Sequence, residues 1–126
     1  MDFSLIGDVI VKKINILKKS EDFSNIIKSV RPIKYKYFIV YLKYEEADYY
    51  KFGLSVGKKI GNAVTRNRVK RQLKNIIDKN NYKNNFKCII IVSRDVINHN
   101  YNEIEKDLQY LLNKNNLIKE NNNEKK

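Results

Sequence analysis

Apolar residues recur along the chain with two different spacings, and the alternation between them predicts six elements. Helical spacing, with apolar residues at every third or fourth position, occurs in three stretches. The predicted helices cover about residues 21–29, 63–79 and 101–114. Runs rich in β-branched and aromatic residues predict strands between them. The predicted strands cover about residues 35–44, 50–57 and 86–93. The order α-β-β-α-β-α is typical of a single α/β domain.

The first two predicted strands should build two different faces, because side chains on a strand alternate with a period of two. One face carries the apolar residues expected in the core: Phe38, Val40, Leu42, Phe52, Leu54 and Val56. The other face combines large and small side chains: Tyr37, Ile39 and Tyr41 beside Gly53, Ser55 and Gly57. This mixture predicts a shallow trough, with Phe23 and Ile27 of the first helix as its wall. Unpaired bases stack in such grooves, contributing about 1–3 kcal/mol per base.

Charge changes this picture most in the segment "SVGKKIGNAVTRNRVKRQLK" (55–74), which contains seven Lys or Arg residues and no Asp or Glu. The acid-free window extends from Tyr49 to Ile77, in a chain with a net charge of +12. Asn62 is a suitable N-cap for the helix that follows. The apolar stripe of that helix is predicted to be Val69, Leu73, Ile76 and Ile77. The side chains predicted to point away from it are Arg66, Asn67, Lys70, Arg71 and Lys74.

Lys58 and Lys59 precede this helix in a Gly-flanked loop, where the backbone can approach a phosphate closely. A solvated helix face is the simplest alternative, but such faces normally include Glu as partners of Lys and Arg four residues away. A membrane-surface helix is a second alternative, but its apolar stripe is needed for the core. Arg is suited to forked phosphate contacts. The segment therefore predicts a phosphate-binding surface.

Size and composition set the remaining limits. A chain of 126 residues is the size of one domain. No apolar run approaches the roughly 20 residues that span a bilayer, so no membrane partner is expected. The N-terminus does not resemble a secretory signal, and the lone Cys88 fits a reducing cytoplasm. We expect a cytoplasmic protein whose partner is a nucleic acid.

The string "FGLSVGKKIGNAVTRNRVKRQLK" closely resembles the signature of the bacterial ribonuclease P protein subunit. That family carries an LSVSKK strand end, then GNAV, an RNR triplet, KR and a further basic residue. "LKKSEDFSNIIK" is similar to the opening segment of the family, "YFIVY" to its first strand, and "IIIVSR" falls in register. The resemblance covers about Leu17 to Lys119.

The resemblance implies a noncatalytic protein partner of a large catalytic RNA. Together they remove the 5′ leader from precursor tRNA by endonucleolytic phosphodiester hydrolysis. Mg²⁺ would be required by the holoenzyme and held mainly by the RNA, with none bound by the protein alone. The implied fold is a two-layer, ribosomal-protein-like α/β sandwich with a left-handed β-α-β crossover, whereas general rules favour a right-handed one. The implied domain is 15–119, with an N-terminal extension at 1–14 and a disordered polar tail at 120–126.

The resemblance also assigns roles to residues that match the family motifs. In the family, the RNR helix contacts the RNA subunit, and the cleft between the first helix and the sheet holds the leader. The implied RNA-contacting residues are Lys58, Lys59, Asn62, Arg66, Asn67, Arg68, Lys70, Arg71 and Lys74. The implied leader-cleft residues are Phe23, Ile27, Ile39, Tyr41 and Arg94. This cleft coincides with the trough predicted from strand alternation.

Three positions depart from the family pattern. Ile27 replaces a Phe and removes one stacking ring, and Gly57 replaces a Ser beside the lysine pair. Lys74 stands where Arg is usual, so a forked phosphate contact becomes a point charge.

Outside these motifs, few residues are candidates for a catalytic or binding role. Cys88 is predicted to be a small core residue, and His99 has no expected partner. Glu103, Glu105 and Asp107 are interpreted as a solvated helix face. Two alternative functions remain: a structural RNA-binding module, such as a ribosomal or RNA-chaperone protein, and a protein-only nuclease.

Overall fold

The computed structural model describes residues 16, 17 and 20–119 of the chain. The predicted extension at 1–14 and the predicted tail at 120–126 lie outside the described residues. The helices are α1 (Ser20–Ser29), α2 (Ala63–Asp78) and α3 (Tyr101–Lys114). The strands are β1 (Ile33–Tyr35), β2 (Phe38–Tyr44), β3 (Tyr50–Ser55) and β4 (Phe86–Val92). Two short 3-10 helices follow β3 and β4, at Lys58–Ile60 and Arg94–Asn98. The predicted α/β class is confirmed.

The four strands form one sheet in the order β1-β2-β4-β3. β2 pairs antiparallel with both β1 and β4, and Val40 lies opposite Ile90. β3 pairs parallel with β4, and Phe52 lies opposite Cys88. The β3-α2-β4 connection is therefore a crossover between neighbouring parallel strands, and its left hand stays a prediction.

One face of the sheet forms the main core with α2 and α3. Alternate residues of the strands, such as Phe38, Val40 and Ile90, pack there against Leu73 and Leu108. All five side chains are at most 4% exposed. Full burial of such a side chain stabilises the fold by about 1.5–3 kcal/mol. The helix stripes predicted from apolar spacing are thus confirmed as the core side of α2 and α3.

The opposite face of the sheet carries a smaller apolar cluster beneath α1. Ile26 of α1 and Ile89 of β4 are buried there, together with Leu17. Ile16 adds an isolated parallel bridge to Phe52 on the edge of β3 that faces away from β4. Helices therefore lie on both faces, and α1 covers only part of its face.

The first predicted strand is in fact two strands joined by a tight turn. Lys36 has a positive φ of 52°, which ends β1 and begins the β1–β2 hairpin. This turn removes Tyr37 from the strand alternation, so the prediction that Tyr37 shares a face with Ile39 is wrong. Tyr37 is 2% exposed and belongs to the main core.

Asp107 explains why Tyr37 and Lys36 point toward α3. The Tyr37 hydroxyl donates to Oδ2 of Asp107 at 2.5 Å, and Lys36 Nζ donates to Oδ1 at 2.9 Å. Asp107 is 5% exposed, so its interpretation as part of a solvated face is wrong. Burial by itself would raise the pKa of Asp107, but these two hydrogen bonds outweigh burial and hold its pKa below the ordinary value.

Asp107→Asn should destabilise the protein by about 1.5–3 kcal/mol at pH 7, the range for hydrogen bonds to a charged group. Because the folded-state pKa lies below the unfolded value of about 3.9, the contribution is complete above that pH and is lost as the pH falls further. Urea unfolding at neutral and acid pH should therefore show the two proteins converging in stability.

Glu105→Gln is the matched control, because Glu105 also pairs with a lysine, Lys79, but at the surface. Its effect should be below about 1 kcal/mol. An Asp107→Asn deficit that is the same at neutral and acid pH would contradict this assignment.

Candidate RNA interface

The N-terminus of α2 is fixed by two residues of the "GN" pair. Gly61 has φ 153°, and an added Cβ would lie 3.1 Å from the Thr65 side chain. Asn62 Oδ1 accepts a hydrogen bond from the Thr65 backbone N–H at 2.9 Å. The predicted cap is confirmed. This oxygen already accepts a hydrogen bond from the helix. The side chain of Asn62 can therefore bind a phosphate only by donating its amide N–H groups.

Four residues at helical spacing form the exposed face of α2: Val64, Asn67, Arg68 and Arg71. They lie at i, i+3, i+4 and i+7, so they follow one side of the helix. Val64 is 77% exposed. An apolar side chain left this open at the start of a cationic face is available for contact with a partner. Sequence reasoning missed Val64, although its spacing from Arg68 and Arg71 was a usable signal.

The other cations of α2 are less accessible. Arg66 and Lys70 are half-buried, and Lys74 is 2% exposed. The prediction that Lys74 points away from the core is therefore wrong. Burial, together with the neighbouring charges of Lys70 and Arg71, lowers the pKa of Lys74 to about 8. Arg66, Lys70 and Lys74 lie beside the apolar stripe, which leaves the first two half-buried and the third almost fully buried.

A cavity of about 520 Å³ opens where β3 and β4 end. Ile39 and Ile91 form its apolar floor, and the cations at its rim are Lys58, Lys59 and Arg94. All three cations are exposed. The remaining lining residues are Ser55, Gly57, Ile60, Val92 and Ser93. None of the described residues in the lining carries a carboxylate. Lys58 and Lys59 belong to the predicted RNA-contacting set, whereas Ile39 and Arg94 belong to the predicted leader cleft. The structure brings these residues together at one cavity.

The two short 3-10 helices bring these cations together. Lys58–Ile60 follows β3 and Arg94–Asn98 follows β4, and the two helices contact each other. Ile60 and Val96 are buried and hold the helices onto the main core. Neither helix was predicted from the sequence, because the two helices are only three and five residues long and have no periodic pattern.

The predicted trough is filled at its centre by α1. A Cβ added to Gly53 would lie only 2.6 Å from Cζ of Phe23, so the Phe23 ring rests directly on the sheet. Tyr41 packs against the same small cluster and is half-buried. Phe23, Ile27 and Tyr41 are absent from the cavity lining. Phe23 therefore covers the predicted floor at Gly53 instead of forming the wall of an open trough, and the open space lies further along the sheet. The assignment of Phe23, Ile27 and Tyr41 to leader binding stays a prediction.

Two further predictions concern isolated residues. Cys88 is 0% exposed and its pKa is raised to about 12 by burial, so its assignment to the core is confirmed. His99 was expected to have no partner, and this is wrong. Its Nε2 lies 3.1 Å from Oδ2 of Asp95 and its Nδ1 lies 3.4 Å from Oε1 of Glu103.

Within the described residues, no group of three or more His, Cys, Asp or Glu side chains is arranged to hold a metal ion. None of the described helices is long and apolar enough to cross a bilayer.

Fold and site together define a basic α/β protein with an exposed cationic helix face and a cation-rimmed, apolar-floored cavity. Such a combination suits a single-stranded polyanion whose bases can rest on an apolar surface.

Comparison with known proteins agrees with this class. Residues 11–116 match the protein-family model described as Ribonuclease P. The ribonuclease P protein component of Mycoplasma capricolum is 45% identical over 87 residues, covering 69% of this chain and 75% of that protein. The component from Listeria innocua is 36% identical over 121 residues, covering 92% of this chain and 100% of that protein.

Solved structures give the same family. The Staphylococcus aureus RNase P protein has a TM-score of 0.74 and 28% identity, covering 83% of this chain and 98% of that chain. The Thermotoga maritima RNase P protein has a TM-score of 0.68 and 25% identity, covering 76% of this chain and 93% of that chain. The chain belongs to the bacterial ribonuclease P protein family.

Gly53→Ala should destabilise the protein by about 1–3 kcal/mol, because the new methyl group overpacks against the Phe23 ring. The loss should shrink in a Phe23→Ala background, since the two sites are in contact. Urea unfolding of the double-mutant cycle measures this coupling.

Gly57→Ala is the matched control, because Gly57 has φ −77° and nothing lies within 4 Å of an added Cβ. Its stability should change by less than about 0.5 kcal/mol. Equal losses for the two substitutions would refute the contact between Phe23 and Gly53.

Proposed function

We propose that this chain is the protein subunit of a ribonuclease P ribonucleoprotein that matures the 5′ ends of tRNA in the cytoplasm. It binds the catalytic RNA through the exposed face of α2 and the 5′ leader of precursor tRNA at the cavity. Family membership implies the RNA subunit as partner. The observation that supports the leader role is the convergence of Lys58, Lys59 and Arg94 on the floor of Ile39 and Ile91.

Each surface suits its proposed ligand by a different chemistry. Arg68 and Arg71 present guanidinium groups that can fork onto phosphates of a folded RNA. The cavity instead offers an apolar floor to unpaired bases and cations to the phosphates between them. A folded RNA with its bases paired gains little from such a floor, so the cavity favours the leader over the mature tRNA.

In this proposal the protein does not carry out the hydrolysis. The catalytic RNA holds the Mg²⁺ ions that the holoenzyme requires, and the cations of the protein reduce the repulsion between the RNA and its substrate. The protein therefore lowers the Mg²⁺ concentration needed for cleavage by neutralising phosphates that divalent ions would otherwise screen.

Reconstitution with a cognate catalytic RNA tests this function. The protein should lower the Mg²⁺ concentration at which precursor tRNA is cleaved, and the protein alone should not cleave. Cleavage by the protein alone would indicate a protein-only nuclease. Binding to the RNA without any change in Mg²⁺ dependence would indicate a structural RNA-binding module instead.

Arg71→Gln should weaken binding to the catalytic RNA and reduce its salt dependence. The slope of log affinity against log salt should fall by about 0.7–0.9, the value for one lost phosphate contact. Lys83→Gln removes one exposed cation that lies outside α2 and should leave the slope unchanged. An unchanged slope for Arg71→Gln would remove this residue from the RNA contact.

A further inference from the structure

Two tyrosine rings stack where the edge strand β1 meets α3. Tyr35 of β1 lies opposite Phe38 of β2, and both side chains pack on the main core between the sheet and the helices. The ring centroids of Tyr35 and Tyr110 of α3 lie 4.8 Å apart. Tyr110 is 45% exposed. An aromatic surface therefore lies on the helix side of the sheet, whereas the floor of the cavity lies on the α1 side.

A third tyrosine continues this surface along α3. Tyr44, at the end of β2, is 63% exposed, and its hydroxyl donates to the backbone oxygen of Asn115 at 3.1 Å. Asn115 follows Tyr110 by five residues, which corresponds to about 7.5 Å along a helix axis. We refer to Tyr35, Tyr110 and Tyr44 as the tyrosine patch. A short single-stranded segment can span its exposed rings.

Lysines accompany the rings of the tyrosine patch. Lys114 Nζ lies 5.6 Å from the ring centroid of Tyr110, and Lys36 Nζ lies 5.5 Å from that of Tyr35. Lys106 and Lys114 are exposed and lie four residues before and after Tyr110, so they share one side of α3 with it. The patch therefore combines aromatic rings with cations, as surfaces that bind single-stranded nucleic acid do.

The segments that build the patch contain few carboxylates. No Asp or Glu occurs in residues 23–44 or 108–119. Asp107, just before the second segment, is 5% exposed and is bonded to Lys36. Glu103, one turn earlier, is engaged in the capping box of α3. Since the whole chain also carries a net charge of +12, the patch attracts a polyanion and disfavours a second copy of the chain.

We propose that the tyrosine patch is a second contact for the catalytic RNA, separate from the exposed face of α2. An unpaired segment of that RNA stacks its bases on Tyr110 and Tyr44, and Lys106 and Lys114 bind its phosphates. Lys114 has a long, flexible side chain, so it can move from the Tyr110 ring to a phosphate when a base takes its place. This inference rests on the proposed function, because it assigns a further surface to the same RNA partner.

The position of the patch favours the catalytic RNA over the leader. The cavity proposed for the leader is floored by Ile39 and Ile91, on the α1 side of the sheet. A leader bound there would have to turn around the edge of β1 to reach Tyr110. A large folded RNA that contacts α2 can instead present an unpaired loop to a second side of the protein.

A purely structural role for the rings is to join β1 to α3, and that role would be indifferent to RNA. Tyr110→Leu separates the two roles, because leucine keeps an apolar contact with Tyr35 but has no ring on which a base can stack. Tyr110→Phe keeps the ring. Tyr49→Leu is the matched control, because Tyr49 is 39% exposed and has Lys51 Nζ 5.5 Å from its ring centroid. The turn beside Tyr49 differs in carrying three acids: Glu45, Glu46 and Asp48.

The experiment measures binding of each full-length protein to a cognate catalytic RNA without precursor tRNA. Tyr110→Leu should weaken binding by about fivefold or more, the lower end of the range for stacking one base. Tyr110→Phe and Tyr49→Leu should bind as wild type. Circular dichroism and urea unfolding check that the variants are folded under the binding conditions.

Two further measurements locate the contact. Lys114→Gln should reduce the slope of log affinity against log salt by about 0.7, the value for one phosphate of a single strand, and Lys51→Gln should leave it unchanged. In hydroxyl-radical footprinting, Tyr110→Leu should expose a set of RNA nucleotides that Arg71→Gln leaves protected.

Wild-type RNA affinity for Tyr110→Leu, an equal loss for Tyr49→Leu, or a loss that Tyr110→Phe shares would overturn the proposal. A loss seen only with precursor tRNA and growing with leader length would assign the patch to the leader. Dimers that form without RNA and depend on Tyr110 would assign it to a second copy of the chain. Either assignment would also overturn the proposal. Failure of the proposed function is distinguishable, since the wild-type protein would then not lower the Mg²⁺ requirement, whereas the footprint needs only RNA binding.

Discussion

The parallel pairing of β3 with β4 is the constraint on which the rest of the site depends. Parallel neighbours end at the same edge of a sheet, so whatever follows β3 must meet whatever follows β4. Here Lys58 and Lys59 follow β3, and Arg94 follows β4. An antiparallel pair would have sent these cations to opposite ends. The crossover helix that makes the pairing possible is α2, which also carries the exposed cationic face. One topological feature therefore positions both surfaces.

The second constraint is the small volume of Gly53, which lets the Phe23 ring rest on the sheet. This contact holds α1 over the centre of the face and leaves the end of the face open. The cavity lies at this open end and is lined by residues of β2, β3, β4 and the two 3-10 helices. Burial and pairing also determine which cations remain available to a partner. Lys74 is committed to the interior and Lys36 to Asp107, whereas Arg71 and Arg94 remain on the surface.

Periodicity was sufficient to predict the helices and the core. α2 and α3 were predicted within one residue at each end, because their apolar stripes are regular. For α2, the predicted cap Asn62 also has a strong local preference for this position. The division of the strands into two faces was also correct for Ile39, Tyr41 and Gly53. These features depend on local spacing, which the sequence records directly.

The errors arose where tertiary contacts override local pattern. Nothing in "IKYKYF" marks Lys36 as a turn residue, since it lacks the Gly or Asn typical of positive φ. Tyr37 was therefore assigned to the wrong face, and its partner Asp107 was interpreted as solvated. Lys74 has the spacing of an exposed residue, yet the surroundings of α2 bury it. The cavity itself depends on how three strands and two short 3-10 helices meet, which no short sequence segment encodes.

The central claim is that leader RNA lies in the cavity where the two parallel strands end. Site-directed crosslinking tests it most directly, because Cys88 is fully buried and a single introduced thiol can be labelled selectively. A photoreactive group attached at Gly57→Cys, which faces open space at the cavity, should crosslink to leader nucleotides in the holoenzyme–precursor complex. The same group at Ile27→Cys, on the exposed side of α1, should crosslink less. Crosslinks to the leader from Ile27→Cys and none from Gly57→Cys would contradict the account.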